Sequence, residues 1–121
     1  LIRKSDIISF HCKAPKDGKP MITKEHYKKM KPTAYIINAA RGNIVDEKDL
    51  NEALNENLIA GAAVDVFSKE PAKENILFNN PKVVVTPHIA ASTTEASIVV
   101  AEMVANQLSD FLLKGVKINT V

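Results

Sequence analysis

Three ionisable residues in loops could together form a site for a small organic acid. Arg41 lies in the segment Asn38–Gly42, directly after an apolar run, and Glu70 and His88 lie in two later loops. A guanidinium presents a planar fork of donors that holds a carboxylate through two parallel hydrogen bonds. A glutamate and a histidine are residue types that transfer protons. These residue types predict a site that binds a carboxylate and moves a proton.

The apolar segments around these loops predict the elements that position them. Strands are predicted over residues 6–12, 34–38, 59–66 and 82–86, and helices over 24–30, from 46 to about 57 and from 92 to about 114. The alternation of strands and helices predicts an α/β fold with a Rossmann-like parallel sheet flanked by helices. Ligands of such sheets bind at the carboxyl ends of the strands. The pattern leaves the order of the strands open.

Local signals predict where the helices begin and end. Thr23 is expected to cap the first helix, and Asp46 is expected to accept from free backbone N–H groups of the second. Ser92 and Glu95 have the spacing of a capping box for the long third helix. Gly115 is expected to end that helix.

Composition argues against several functions. The net charge of +2 is too small, and the lysines too scattered, to predict nucleic-acid binding. No apolar run is expected to approach the length of about 20 residues that spans a membrane. The three histidines show no metal-ligand spacing. The single Cys12, expected to be a small buried residue, cannot form an internal disulfide, which favours a cytoplasmic protein.

Each candidate residue also has a simpler interpretation. Arg41 alone would more often be a surface residue or an ion-pair residue. Glu70 could be a solvated loop acid, and His88 a structural histidine with satisfied hydrogen bonds. Asp65 could cap a turn. His11 and His26 are interpreted as structural.

Several sequence blocks, in the same order, resemble those of the D-isomer-specific 2-hydroxyacid dehydrogenases over nearly the whole chain. The blocks are Met30–Pro32, Ile37–Gly42, Val45–Asp46, Gly61–Phe67, Glu70–Pro71 and Thr86–Thr93. The resemblance implies an NAD-dependent oxidoreductase that acts on the CH–OH group of a D-2-hydroxy acid. The expected substrate is 3-phosphoglycerate, as in serine biosynthesis.

The resemblance also implies roles for individual residues. Arg41, Glu70 and His88 correspond to the catalytic set of the family. Asp65 is implied to hold the nicotinamide carboxamide. The implied cofactor-binding residues are His11, Asn38, Ala39, Ala40, Arg41, Asp65, His88, Ala90 and Ala91.

The four glycines of the chain do not form the G-x-G-x-x-G turn that cradles a pyrophosphate. The chain is therefore expected to be a fragment, the second half of an NAD-binding domain. Residues 1–92 would form a partial domain, 93–114 an inter-domain helix and 115–121 the return to a substrate domain. A homo-oligomer or a partner domain is expected. The alternative is a non-catalytic interaction or oligomerisation module derived from this fold.

Overall fold

In a computed structural model that describes residues 1–119, four parallel strands form one sheet. The strands are β1 (Ile7–Phe10), β2 (Tyr35–Asn38), β3 (Gly61–Val64) and β4 (Val83–Val85). Their order across the sheet is β1-β2-β3-β4, the same as in the chain. The helices are α1 (Lys24–Tyr27), α2 (Glu47–Asn55) and α3 (Thr94–Lys114), with a 3₁₀ turn at Gly42–Ile44. The predicted α/β fold is confirmed.

All four predicted strands exist, but each is shorter than the apolar segment that indicated it. β2 pairs along its whole length with both neighbours, so that Tyr35 lies opposite Ile7 of β1 and Gly61 of β3. The last pair between β1 and β2 joins Phe10 to Asn38. Strand bounds follow the paired backbone, whereas the predictions followed apolar character and therefore extended past the ladder.

The core forms where alternate residues of the sheet meet the apolar stripe of α2. Ile8 of β1 and Ile36 of β2 are buried, whereas Ile7, Ser9 and Tyr35 are exposed and Ile37 is half-buried. Leu50, Ala53 and Leu54 of α2 are fully buried. Burying one such leucine contributes about 1.5–3 kcal/mol. This burial fixes α2 firmly against the sheet.

The predicted cap of α2 is confirmed, whereas α1 is shorter than predicted. The Asp46 carboxylate accepts from the backbone N–H groups of Lys48 (3.0 Å) and Asp49 (2.9 Å). Thr23 is the N-cap of α1, as predicted, but the helix ends at Tyr27 rather than residue 30. The chain continues in an i to i+3 turn, in which the Met30 N–H donates to the Tyr27 carbonyl (3.0 Å).

The beginning of α3 differs from the prediction by one residue. Thr93 is the N-cap, and its hydroxyl accepts from the Ala96 N–H (3.1 Å). The predicted capping box of Ser92 and Glu95 is therefore wrong, since the Ser92 N–H donates to a carbonyl in the preceding turn. Gly115 ends the helix in the left-handed conformation (φ +66°), as predicted.

The expectation that no segment has the length and apolar character of a membrane span is wrong for α3. This helix has 21 residues, and an 18-residue window within it has a mean hydropathy of 1.3. The helix is long and apolar enough to cross a membrane by length and composition only, and the core helix of a soluble protein can have the same length and composition. Glu102 lies in the middle of the helix, where a charge would make insertion costly.

The described chain divides into two compact units, one containing residues 1–88 and the other beginning at Ile89. The first unit holds the sheet, α1 and α2. The second unit holds α3, none of whose residues is buried. The predicted domain bounds at residues 92 and 114 stay predictions.

Cys12 is exposed, so the prediction that it is buried is wrong. The predicted strand over residues 6–12 would have placed Cys12 in the sheet. Because β1 ends at Phe10, Cys12 lies in the following loop, with its Sγ 3.9 Å from the Sδ of Met21.

Candidate functional site

A buried asparagine shapes the turn that presents Arg41. The Asn38 side chain, 1% exposed, donates from Nδ2 to the Arg41 carbonyl (3.0 Å) and accepts from the Ala40 N–H (3.3 Å). These two hydrogen bonds of the side-chain amide fold the backbone back on itself directly after β2. The residue has a clear structural role, and its predicted contact with a cofactor stays a prediction.

The Arg41 guanidinium lies at the surface without an acidic partner among the described residues. Its Nη1 donates to the Ala40 carbonyl (2.7 Å), which holds the guanidinium near the turn. The ion pairs of residues 1–119 do not include Arg41. The interpretation of Arg41 as an ion-pair residue therefore finds no support, and its remaining donors suit an external carboxylate.

Glu70 and His88 form a close pair across two loops. The Oε2 of Glu70 lies 2.6 Å from Nδ1 of His88, and the Oε1 accepts from the Phe67 N–H (2.9 Å). The imidazole and, to a smaller extent, the Phe67 amide hold the pKa of the Glu70 carboxyl below its ordinary value. Because an ionised carboxylate can only accept, Nδ1 of His88 must carry the proton of this contact.

The backbone at His88 adopts an uncommon conformation. Its φ is +57°, in the left-handed region, which residues with a Cβ rarely occupy. Such conformations carry a cost of order 1–3 kcal/mol and are found preferentially at functional sites. His88 follows Thr86 and Pro87 after the end of β4, and its imidazole faces the Glu70 carboxylate.

Arg41, Glu70 and His88 line one cavity of about 330 Å³ at the carboxyl ends of β2, β3 and β4. The sequence-based expectation that the three groups converge at one edge of the sheet is thus met by the geometry. A neighbouring cavity of about 460 Å³ shares Glu70 and His88 and has an apolar wall that includes Phe67 and Phe78. Their rings meet edge to face with centroids 5.4 Å apart.

Asp65 is buried directly after β3 and links two strands. It is 6% exposed, and its carboxylate accepts from the hydroxyl of Thr86 at the end of β4. Its backbone N–H donates to the Asn38 carbonyl (2.9 Å), which extends the pairing of β2 and β3. The contact with Thr86 gives Asp65 a role between strands. The predicted contact with a nicotinamide carboxamide stays a prediction.

A further cavity, of about 400 Å³, lies on the other side of Arg41 and is lined by His11, Ala39 and Ala40. His11 also contacts Ser9, with 2.8 Å between Nε2 and the hydroxyl oxygen. The predicted cofactor contacts of His11, Ala39 and Ala40 stay predictions. Ala90 and Ala91 belong to the second unit and are exposed, and their predicted cofactor contacts stay predictions.

Sequence reasoning missed two residues that support the site. A Cβ added to Gly42 would lie 1.9 Å from the Phe67 carbonyl oxygen, so the two loops touch through their backbones. Glu47 accepts from the backbone N–H of Ser68 (2.7 Å) and from the side chain of Asn75 (2.9 Å). In the sequence, Gly42 is visible only as a glycine after Arg41, and Glu47 only as an acid after a helix cap. Neither pattern reveals a partner more than 20 residues away.

Comparisons with known proteins place these features in a family. Residues 1–90 match the family described as "D-isomer specific 2-hydroxyacid dehydrogenase, NAD binding domain". The chain is 48% identical over 118 residues to a glyoxylate reductase of Thermofilum pendens, covering 95% of this chain and 34% of that protein. It is 42% identical over 111 residues to a D-3-phosphoglycerate dehydrogenase of Bacillus subtilis, covering 92% and 21%.

A solved structure agrees with the sequence comparisons. The NAD-complexed D-isomer-specific 2-hydroxyacid dehydrogenase of Lactobacillus delbrueckii superposes with a TM-score of 0.72 at 32% identity, covering 98% of this chain and 40% of that one. The chain thus spans about a third or less of the length of the two relatives named above. It belongs to the D-isomer-specific 2-hydroxyacid dehydrogenases, and residues 1–90 match their NAD-binding domain.

Proposed function

We propose that this chain carries the catalytic residues of an oxidoreductase that interconverts a D-2-hydroxy acid and its 2-keto acid with NAD. The observation that carries the proposal is the single cavity lined by Arg41, Glu70 and His88, in which a carboxylate and an imidazole lie 2.6 Å apart. The activity would belong to the full-length gene product, since the relatives are about three times as long or longer.

Arg41 is proposed to bind the carboxylate of the substrate. Its guanidinium is exposed at the rim of the cavity and has no acidic partner among the described side chains. A two-point contact would fix the plane of the carboxylate and hence the position of the neighbouring C2 atom. This orientation would present the C2 hydrogen to the nicotinamide end of the site.

His88 is proposed to exchange a proton with the C2 oxygen. Because Nδ1 donates to Glu70, Nε2 is the ring nitrogen that would accept the hydroxyl proton during oxidation and return it during reduction. NAD, when bound, supplies the hydride chemistry at C2. Glu70 would balance the positive charge that His88 gains and would keep the ring in place.

The proposed substrate is 3-phosphoglycerate. Its support is the sequence relationship to D-3-phosphoglycerate dehydrogenases, and the relationship to glyoxylate reductases favours glycolate and glyoxylate as the competing pair. The two substrates differ by a phosphorylated carbon that needs a cationic subsite. The ratio of kcat/KM for 3-phosphoglycerate to that for glycolate decides between them.

The test is a steady-state assay of the full-length gene product with NAD and each hydroxy acid. Arg41→Ala is expected to lower kcat/KM by about 10³-fold, because an oriented charged contact of about 4 kcal/mol is lost. Arg3→Ala, which removes the only other arginine of the chain, is the matched control and should leave kcat/KM unchanged. Unaltered kcat/KM in Arg41→Ala would refute the assignment.

A non-catalytic interaction module is the second candidate, and the exposure of α3 favours it. No residue of this 21-residue helix is buried, although its sequence is rich in valine and leucine. Such a surface favours pairing with a second copy or with a partner domain. Calorimetry of this chain with NADH separates the candidates: micromolar binding contradicts the module, and absence of heat at millimolar cofactor contradicts cofactor binding by this chain alone.

A further inference from the structure

The loop that carries Glu70 is fastened to the first turn of α2 by one carboxylate. Glu47 accepts through Oε1 from the Ser68 N–H (2.7 Å). Through Oε2 it accepts from the Ser68 hydroxyl (3.0 Å) and from the Asn75 amide (2.9 Å). Both ends of the segment 68–75 are therefore held by the same side chain.

The two partners of this contact differ in how firmly they are fixed. Glu47 begins a helix that is capped by Asp46 and anchored by fully buried leucines, so its backbone has a defined place. The segment 68–75 contains no helix or strand, and most of its residues are exposed. Burial therefore does little to set the conformation of this loop, and its hydrogen bonds to α2 must do more.

The same loop sets the direction of the Glu70 carboxylate. One oxygen accepts from the Phe67 N–H at the start of the loop, and the other contacts His88. Ser68, which Glu47 holds twice, directly follows Phe67. A shift of Ser68 would therefore turn the Phe67 amide and, with it, the carboxylate that faces the imidazole.

We propose that Glu47 is a positioning residue that keeps Glu70 against His88 by fixing the loop between Ser68 and Asn75. The inference rests on the proposed function. Among the described residues, Glu47 is not one of those that line the cavity shared by Arg41 and His88. Glu47 therefore acts through other residues. An acid in the first turn of a helix usually serves the helix dipole. Here both of its oxygens accept from the loop, which indicates the additional role.

The first test compares Glu47→Ala and Glu47→Gln in the full-length gene product. Glu47→Ala is expected to lower kcat by about tenfold or more, because displacements near 1 Å in a reacting group carry large rate penalties. Glu47→Gln keeps one acceptor for the Ser68 N–H and should recover part of the loss. KM for NAD should not change. Glu74→Ala, which removes another acid from the same loop, is the matched control and should retain full kcat.

A double-variant comparison separates positioning from general loss of stability. In a Glu70→Ala background, Glu47→Ala is expected to lower kcat by less than about twofold, because the group that it positions is already gone. Equal losses in both backgrounds would overturn the proposal, since a purely structural role acts regardless of Glu70. Full kcat in the Glu47→Ala protein would overturn it as well.

The second readout does not depend on activity. His88 and the Phe67 amide hold the pKa of Glu70 below its ordinary value, and release of the loop should raise it. Carboxyl-¹³C labelling of glutamate, with the Glu70 signal identified from its absence in Glu70→Gln, measures this pKa. An unchanged Glu70 pKa in Glu47→Ala contradicts positioning. If the wild-type protein oxidises no 2-hydroxy acid, the proposed function fails, while this titration still decides the role of Glu47.

Discussion

Replacement of Gly42 by alanine is expected to separate the Arg41 turn from the Glu70 loop. The added Cβ would lie 1.9 Å from the carbonyl oxygen of Phe67, 2.0 Å from its carbonyl carbon and 2.5 Å from the nitrogen of Ser68. All three are backbone atoms, so no side chain can rotate away to relieve the collision. The Phe67–Ser68 peptide would have to retreat by roughly 1.5 Å to reach an ordinary contact distance.

This displacement acts on both stability and the proposed chemistry. Forcing an atom into a closely packed site costs about 1–3 kcal/mol, and a collision with rigid backbone favours the upper end. The Phe67 amide, which donates to Glu70, lies in the segment that must move. A shift of this size is expected to lower kcat/KM of the full-length gene product by about 10²-fold.

Urea unfolding and steady-state kinetics measure the two effects of Gly42→Ala. Gly115→Ala is the matched control, because its added Cβ would meet nothing within 4 Å and its positive φ alone makes the substitution unfavourable. The control is expected to lose about 1 kcal/mol of stability without loss of kcat/KM. If Gly42→Ala were as stable and as active as this control, the inferred backbone contact between the two loops would be refuted.

Two further predictions concern single polar groups. The hydroxyl of Tyr27 is buried without a hydrogen-bond partner among the described residues, so Tyr27→Phe should raise the free energy of unfolding in urea by about 1 kcal/mol. A loss of stability would contradict the unpaired state of this hydroxyl. The folded-state pKa of Glu70 is lowered, so its contribution to stability is present above its unfolded pKa and lost as the pH falls through the folded pKa. As the pH falls through this acidic range, the free energy of unfolding of the wild-type protein should therefore fall more than that of Glu70→Gln. Parallel curves of this free energy against pH would contradict the interaction between Glu70 and His88.

Local chemistry predicted most of the elements, because the signals lie within a few residues of the structure that they produce. Asp46 precedes a helix whose apolar residues recur at helical spacing, and it caps that helix as expected. Gly115 ends α3 for an equally local reason. The beginning of α3 was missed by one residue, because Ser92 and Thr93 are adjacent residues with hydroxyl groups, and local pattern cannot choose between them.

The supporting residues of the site could not be predicted, because their partners are distant in the chain. Glu47 is 21 residues from Ser68, and Gly42 is 25 residues from Phe67. Only the packing of the loops shows why one position needs a carboxylate and the other cannot accept a Cβ. Candidate catalytic residues were easier to find, because their chemical types are informative before their positions are known.

The meeting of Glu70 and His88 depends on the order of the strands, which the sequence pattern left open. Neighbouring strands lie about 4.8 Å apart, so β2 and β4, separated only by β3, end about 10 Å from each other. The order β4-β1-β2-β3 would also satisfy the alternation of strands and helices. It would place β4 about 15 Å from β3 and would keep His88 from the loop that follows β3. The pairing of β3 with β4 therefore assembles the candidate site as directly as any side chain within it.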